Sequence, residues 1–362
     1  MKRDIKKLSA EQLKDVLRNW GEPAFRASQI YDWLWNKGAE DFDRMSNLPK
    51  ALRERLKDNF TISRSRFSET RQSADGTLKN AVLLPDETIV ESVLIPEKKR
   101  VTACISSQVG CSLDCRFCAT ARLKRMRNLS ASEIVDQVMQ AREQSREYYG
   151  APLTNIVFMG MGEPLLNYDN VLKAIEIITS PKGLGFSPKR ITVSTAGIPK
   201  MIKKLADDNP KVKLAVSLHA AIDGTRDELM PVNRRTGGLK ALTEALQYWY
   251  KQTKNPVTFE YILFKGINDD ERHLKALIKM ARRVPSKVNL IPYNPANSFD
   301  RFEGADEETM ETFQRRLKEA GITATVRKSR GQDIEAACGQ LAAQYETDLP
   351  KIPYKKLVKR TQ

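Results

Sequence analysis

The stretch Cys111-Ser112-Leu113-Asp114-Cys115-Arg116-Phe117-Cys118 places three of the five cysteines of this chain within eight residues. Thiolates at this density hold either zinc or an iron–sulfur cluster, and a closed structural site uses four protein ligands. No fourth ligand is nearby, because the two histidines of the chain, His219 and His273, lie far along the sequence. The stretch therefore predicts a metal site with one open coordination position.

The cysteine spacing, with an aromatic residue before the last cysteine, resembles the signature of radical S-adenosylmethionine (SAM) enzymes. That resemblance implies a 4Fe-4S cluster held by Cys111, Cys115 and Cys118, whose fourth iron binds the amino and carboxylate groups of SAM. Two alternatives stay open at this point. The same cysteines could hold a structural zinc ion or a cluster that only transfers electrons.

The length and apolar content of the chain indicate a soluble protein of two or three units. A chain of 362 residues exceeds one ordinary domain. Its longest apolar runs, such as 81–84 and 156–158, are far too short to span a bilayer, and no signal-type apolar stretch follows the charged N-terminus. The odd number of cysteines argues against a disulfide framework and for a reducing compartment. We therefore expect a cytoplasmic protein with no membrane contact.

The net charge of +16, with a pI near 9.6, predicts a polyanionic partner, most obviously nucleic acid. The alternative is that the charge only reflects a solvated surface. Clustering favours the first interpretation, because basic residues concentrate after the cysteine stretch and before Cys338. They are Arg116, Arg122, Lys124, Arg125 and Arg127, then Arg327, Lys328 and Arg330.

Hydrophobic periodicity divides the chain into four segments. Residues 1–60 show helical spacing and form an N-terminal accessory domain that we expect to bind RNA, whereas 61–96 show short β-type stretches and form a hairpin linker. Residues 97–335 form the core. Residues 336–362 form a C-terminal segment that carries Cys338 and a basic tail, 351–360, also expected to hold RNA.

Strands and helices alternate through the core, which predicts an α/β fold with a parallel sheet, namely a partial (β/α)6 barrel. The predicted strands are 101–106, 155–159, 190–195, 213–218, 258–264 and 288–292. The predicted helices are 131–149, 170–179, 198–207, 239–252, 270–283 and 307–320. The chemistry of such barrels lies at the carboxyl ends of the strands. We therefore expect the cysteines, 160–164, 194–197, 217–219 and 293–294 to meet at one cavity.

Four motifs together resemble the RlmN/Cfr family of radical SAM RNA adenine methyltransferases. They are the cysteine stretch, Gly160-Met161-Gly162-Glu163-Pro164, Leu229-Met230-Pro231-Val232-Asn233 and 330–341, which contains Ala336-Ala337-Cys338-Gly339. The resemblance covers essentially the whole chain. It implies SAM contacts from Gly162, Glu163, Ser194, Ser217, Leu218, His219 and Asn294. A carboxylate such as that of Glu163 can accept hydrogen bonds from the SAM ammonium group.

The resemblance also implies a mechanism that uses two SAM molecules per turnover, since an amidine carbon of adenine is not nucleophilic. Cys338 takes a methyl group from the first SAM, and a radical derived from the second SAM abstracts hydrogen from that S-methyl group. The resulting methylene radical adds to the adenine carbon. Cys104 then acts as the resolving thiol through a transient disulfide, and Glu91 accepts the substrate proton. Position alone would make Cys104 a small buried residue and Glu91 a solvent-facing one.

Two local features refine the resemblance. The family commonly has a glycine-containing turn after the last cysteine, whereas this chain has the stiffer and more basic segment 121–126. Gly162-Glu163-Pro164 is typical of RlmN-type members, which methylate C2 of adenine, while Cfr-type members methylate C8. The resemblance implies 23S rRNA and tRNA as substrates, with a flavodoxin- or ferredoxin-type electron donor. We expect a monomer.

Two other functions stay open on the sequence alone. One is a radical SAM enzyme that acts on a peptide or small molecule, for which Cys104 and Cys338 would be dispensable. The other is an RNA-binding module with structural zinc in the three cysteines. Iron content and SAM cleavage distinguish these functions.

Overall fold

The computed structural model describes residues 2–123, 125–295 and 302–342. Lys124 and the basic tail 351–360 therefore lie outside the described residues. Within the described part, no helix is both long enough and apolar enough to cross a membrane.

The N-terminal part is helical, as its periodicity predicted. It contains α1 (Ala10–Asn19), α2 (Phe25–Trp35) and α3 (Lys50–Asn59), and its strand β1 (Arg3–Asp4) pairs in parallel with β2 (Phe60–Thr61). Its apolar faces belong to the same buried core as the rest of the protein. A buried ion pair also joins the two parts, because Lys6 Nζ lies 2.5 Å from Asp136 Oδ1.

The next three strands form an antiparallel extension of the main sheet. They are β3 (Arg66–Gln72), β4 (Leu78–Leu83) and β5 (Ile89–Glu97). β5 pairs with β6 (Arg100–Cys104), the first strand of the parallel region, so that Val93 lies opposite Cys104. This segment is therefore hydrogen-bonded into the sheet that carries the candidate site. The domain boundaries themselves stay a prediction.

Seven parallel strands follow one another in space, which confirms the α/β class and the strand order of an open barrel. They are β6, β9 (Asn155–Phe158), β10 (Ile191–Thr195), β11 (Lys213–Ser217), β12 (Val257–Leu263), β13 (Ser286–Pro292) and β14 (Thr323–Val326). A small separate sheet pairs β7 (Gln108–Val109) with β8 (Arg127–Asn128). The main sheet is not closed, because its edges are β14 and β3.

The sequence predicted six of these strands and missed β14. In β14 only Ala324 is buried, so this edge strand lacks the hydrophobic pattern that marks a strand in a sequence.

The six helices predicted for the core are present, and the part of the chain that the structure describes has three further short helices there that were not predicted. The helices are α4 (Ala119–Arg122), α5 (Ala131–Tyr149), α6 (Tyr168–Thr179), α7 (Pro199–Asp208), α8 (Asp223–Leu229), α9 (Val232–Arg235), α10 (Gly238–Thr253), α11 (Glu271–Arg283) and α12 (Glu307–Glu319). The unpredicted α4, α8 and α9 all lie at the face of the sheet that is formed by the carboxyl ends of its strands. They are next to residues 105–118, which carry the three clustered cysteines and which we call the cysteine loop.

Candidate active site

The cysteine loop begins where β6 ends and is fixed to its neighbours by buried polar contacts. Ser106 Oγ donates to the carbonyl oxygen of Glu91 at 2.5 Å and accepts from the Met161 N–H at 2.8 Å. The amide oxygen of Gln108 accepts from the Glu163 N–H at 2.9 Å. At Gly162, which has φ +93°, a Cβ would lie 2.5 Å from Gln108 Cβ. Only glycine therefore fits this close approach between the two loops.

The three cysteines line one cavity at the carboxyl ends of the strands, which we call the inner cavity. Its empty space is about 880 Å³ when the open mouth is included. Other predicted residues on its wall are Gly162, Glu163, Ser194, Ser217, His219 and Cys338. The convergence that the strand order predicted is therefore present for these residues, although their individual roles stay predictions.

Two predicted SAM contacts lie elsewhere. Leu218 is fully buried, and its N–H donates to the Glu260 carbonyl oxygen at 3.0 Å. Asn294 lines a second cavity, and its side-chain oxygen accepts from Gln332 Nε2 at 2.6 Å. Neither residue is on the wall of the inner cavity.

The chemistry of the three thiols fits a cationic metal centre. Burial raises the pKa of Cys111 to about 11, and the charges of Cys118 and Glu163 add to this effect. Burial, with the charges of Cys118 and Cys111, raises the pKa of Cys115 well above its usual value. Thiolates crowded in a buried site need compensating positive charge, which iron ions would supply.

The described residues contain no group of three or more Cys, His, Asp and Glu side chains that could hold a single metal ion. The three thiols instead line the wall of the same cavity. A cluster of several irons bridges a wider set of thiolates than one ion does, so Cys111, Cys115 and Cys118 are the residues that would hold it.

Glu163 is a buried carboxylate that faces the inner cavity. Its two oxygens accept from the Leu165 N–H at 3.0 Å and from the Ala196 N–H at 2.7 Å. Burial raises its pKa to about 7, although these backbone hydrogen bonds oppose the shift. A bound ammonium group would stabilise the ionised form, because it brings the opposite charge into a site poor in water.

His219 is held as a neutral hydrogen-bond donor. It has left-handed backbone geometry, with φ +53°, and its Nδ1 accepts from the Ile262 N–H at 3.1 Å. Burial lowers its pKa to about 3. The proton of the neutral ring is therefore on Nε2, so His219 offers a hydrogen-bond donor rather than a free ring nitrogen for a metal.

Arg226 is a fully buried cation behind the inner cavity, and no role for it was predicted from the sequence. Its guanidinium donates to the carbonyl oxygens of Ala196 at 2.6 Å, Ser217 at 3.2 Å and Leu218 at 3.1 Å, and to Asn233 Oδ1 at 2.6 Å. It thereby ties the ends of β10 and β11 to the 229–233 motif. A single arginine in a polar segment carries no sequence signal of burial. The only sequence feature that pointed to this region was the 229–233 motif, which supplies its hydrogen-bond partner Asn233.

Cys338 lies on a wall that two cavities share. The second one, which we call the outer cavity, is also lined by Cys104, Glu260 and Arg327. Burial raises the pKa of Cys104 to about 12, the charge of Cys338 adds to this, and the charge of Arg327 opposes it. The structure therefore brings the two cysteines outside the cluster motif into one cavity, next to a cation that can stabilise a thiolate.

Glu91 is not solvent-facing, because it forms a buried ion pair. Its carboxylate lies 2.9 Å from Lys79 Nζ, and its Oε2 accepts from the Ala342 N–H at 2.8 Å. Lys79 Nζ also donates to the Glu335 carbonyl oxygen at 3.1 Å. The pair thus holds the segment 335–342 on both sides of Cys338. Glu91 lines neither the inner nor the outer cavity.

Lys79→Met is expected to lower the free energy of unfolding by about 3–5 kcal/mol, because it leaves the Glu91 carboxylate buried without its partner. Urea unfolding followed by circular dichroism measures the change. The double variant Lys79→Met/Glu91→Gln removes both charges and should recover most of the loss. A single variant as stable as the original protein would mean that the pair contributes no specific stabilisation.

SAM affinity is expected to fall below about pH 7, because protonation removes the negative charge of Glu163. Each pH unit further down should weaken binding by up to about tenfold if the ammonium group requires the carboxylate. Isothermal titration calorimetry of the anaerobically reconstituted protein measures this. Glu163→Gln should bind weakly with no such pH dependence, and an identical pH profile in both proteins would contradict the role of Glu163.

Two known sequence families match this chain. The Radical SAM superfamily matches residues 105–278, and the Ribosomal RNA large subunit methyltransferase N-terminal domain matches residues 3–62. The first match covers the cysteine loop and most of the parallel strands. Together with the thiol-lined cavity, it defines the chain as a radical SAM protein, a class whose cofactors are SAM and an iron–sulfur cluster.

Relatives of known name match nearly the whole length. A probable dual-specificity RNA methyltransferase RlmN of Flavobacterium johnsoniae is 56% identical over 94% of this chain and 97% of its own. The dual-specificity RNA methyltransferase RlmN of Rhodospirillum rubrum is 44% identical over 92% of this chain and 79% of its own. The crystal structure of a radical SAM methyltransferase from Sphaerobacter thermophilus covers 94% of this chain and 100% of its own, with 40% identity and a TM-score of 0.88. The chain belongs to the RlmN family.

Proposed function

We propose that this protein methylates C2 of a specific adenine in RNA, with 23S rRNA and tRNA as substrates. The observation that carries the proposal is the place of Cys338. This residue lines both the inner cavity, which contains the three cluster thiols, and the outer cavity, which contains Cys104. A thiol in that position can receive a methyl group on one side and present it to a base on the other. The names of the relatives support RNA as the substrate.

The roles of the residues follow from this arrangement. When bound, the cluster and two SAM molecules per turnover supply the methyl group and the radical that activates it. The Cys338 thiolate would take the methyl group of the first SAM by displacement: a sulfur–carbon bond forms at Cys338, the methyl–sulfonium bond breaks, and S-adenosylhomocysteine leaves. Transfer of a hydrogen atom from that methyl group to the radical derived from the second SAM leaves a carbon radical on Cys338, which adds to C2 of adenine. Loss of the C2 proton and of one electron, which the electron-transfer partner would take up, then restores the closed-shell ring. The product is then covalently attached to Cys338.

Resolution of this adduct is assigned to Cys104 and Glu91. The Cys104 thiolate bonds to the Cys338 sulfur, the bond between that sulfur and the transferred carbon breaks, and the electron pair left on that carbon takes up a proton to complete the methyl group. The Cys104–Cys338 disulfide must then be reduced by two electrons from an external donor before the next turnover. Cys104 must first lose its proton, and the charge of Arg327 favours that loss. Glu91 takes the proton from the substrate carbon. To do so, it must exchange its hydrogen bond with the Ala342 N–H for contact with the substrate.

The SAM contacts and partners complete the proposal. Glu163 binds the SAM ammonium group, His219 donates from Nε2, and Gly162, Ser194 and Ser217 are further contacts on the inner cavity wall. The family resemblance adds Leu218 and Asn294, which lie off that wall. A flavodoxin- or ferredoxin-type protein supplies electrons. The enzyme acts as a cytoplasmic monomer, and its N-terminal helices help to hold the RNA.

Mass spectrometry of nuclease-digested RNA tests the proposed function. RNA incubated anaerobically with the reconstituted protein, SAM and a reductant should contain 2-methyladenosine. The appearance of 8-methyladenosine instead would assign the C8 reaction. If neither nucleoside forms in rRNA or tRNA, although the protein cleaves SAM, RNA is not the substrate.

A further inference from the structure

The half of the barrel interior that is nearer the amino ends of the strands is unusually polar. Barrel interiors are normally packed with branched apolar side chains. Here the inward positions near the amino ends of the strands carry short polar side chains instead, and the outer cavity of about 1880 Å³, including its open mouth, remains between them. These side chains are Thr102, Asn155, Thr192, Thr258, Asn289 and Thr325.

Cations surround the mouth of the outer cavity at the amino ends of the strands. Arg100 and Lys213 are the first residues of β6 and β11, and Lys287 is the second residue of β13. All three line the outer cavity, as do Lys328 and Arg330. Burial lowers the pKa of Lys213, and the charges of Lys287 and Arg100 lower it further. These like charges therefore act on one another across the mouth.

Carboxylates balance only part of this charge. Arg100 pairs with Glu97, Arg327 lies 3.5 Å from Glu260, and Arg330 lies 3.8 Å from Asp75. Lys213 and Lys287, in contrast, form no ion pair with any residue that the structure describes. Two exposed lysines at the tip of the β5–β6 hairpin, Lys98 and Lys99, extend the basic surface outward. A cleft lined by one sign of charge attracts polyanions strongly.

The outer cavity also leads to the reactive sulfur. It extends from these cations to Cys104 and Cys338. If SAM occupies the inner cavity, the outer cavity is the other cavity of the described residues through which a base can reach Cys338. A duplex is too wide for such a channel, so the target nucleotide must be unpaired and extruded.

We propose that the outer cavity is the channel through which the substrate RNA strand reaches Cys338, with its phosphates bound by Lys213 and Lys287 at the mouth. This inference rests on the proposed function and adds the route of entry to it. The hydroxyl and amide side chains of the lining provide hydrogen-bond partners for ribose 2′-hydroxyls and base edges. The RNA-binding face is thus the one formed by the amino ends of the barrel strands. It lies opposite the face that carries the cysteine loop.

The double variant Lys213→Gln/Lys287→Gln tests the channel. Its binding to a fluorescein-labelled RNA hairpin with an unpaired adenine in the loop is measured by anisotropy at several salt concentrations. Two lost phosphate contacts to a single strand should reduce the slope of log K against log salt by about 1.4, which is roughly 25-fold in affinity near 0.1 M salt. The charge-preserving variant Lys213→Arg/Lys287→Arg should restore most of the slope.

The matched control is Lys251→Gln/Lys279→Gln, which removes two exposed lysines from the outer helices α10 and α11 and changes the net charge equally. It should bind RNA almost as the original protein does. Equal slopes in the two glutamine variants, with equal melting temperatures, would overturn the channel proposal alone. If the original protein binds no RNA, the proposed function fails instead.

Crosslinking provides a second measurement. An RNA hairpin with 4-thiouridine next to the target adenine should crosslink, on irradiation, to peptides that contain the mouth residues Lys213 or Lys287. Crosslinks confined to the N-terminal helices or to α11 would contradict entry through the outer cavity.

Discussion

Cys104→Ala is expected to abolish multiple turnover while leaving the protein covalently attached to its RNA. The Cys338 thiol and the three cluster thiols are unchanged in this variant, so the steps up to addition of the Cys338 carbon to adenine can still occur. Without a second thiol in the outer cavity, no group can bond to the Cys338 sulfur and release the product. The adduct should therefore accumulate.

Denaturing gel electrophoresis of the reaction with labelled RNA measures the trapped species. We expect up to one RNA per protein for Cys104→Ala and almost none for the original protein. Cys104→Ala/Cys338→Ala is the matched control, and it should give no adduct because the attachment point is absent. Normal turnover by Cys104→Ala would remove Cys104 from the mechanism.

Cys115→Ser is expected to eliminate iron binding and, with it, SAM cleavage. Cys115 lies on the inner cavity wall with Cys111 and Cys118, and the other thiol on that wall, Cys338, is assigned to methyl transfer rather than to the cluster. A serine hydroxyl does not replace a thiolate as a ligand of an iron–sulfur cluster. Iron and sulfide content after anaerobic reconstitution, together with the formation of 5′-deoxyadenosine, measures the loss.

The control for this experiment is Cys104→Ser, which removes a thiol that lies outside the inner cavity and should retain about four irons. Retention of the full iron content by Cys115→Ser would show that the cysteine loop does not hold the cluster. Stoichiometric zinc in the original protein, with no iron uptake, would support the RNA-binding module with structural zinc.

The strand order and the cavity could be predicted because they depend on local patterns. Buried strands such as β10 and β11 give apolar runs, and a parallel sheet places the residues that follow each strand at one edge. The cysteine loop, Glu163, Ser194 and His219 were found in this way. The edge strand β14 was missed because only one of its residues is buried.

The buried charges could not be predicted, since their partners are distant in sequence. Position alone made Glu91 a solvent-facing residue, yet Glu91 and its partner Lys79 are both enclosed by the segment that carries Cys338. Arg226 has four acceptors that lie together only after β10 and β11 pair. Lysines such as Lys213 likewise show no local sign that they surround the mouth of a cavity.

The central claim is that Cys338 carries the methyl group, and peptide mapping of the intact protein tests it most directly. After anaerobic incubation with SAM and a reductant, the peptide that contains Cys338 should gain the mass of one methyl group, while the Cys104 peptide should not. The methylated fraction should decrease when RNA is added, because the group leaves with the product. A Cys338 peptide that stays unmodified while RNA is methylated would contradict the account.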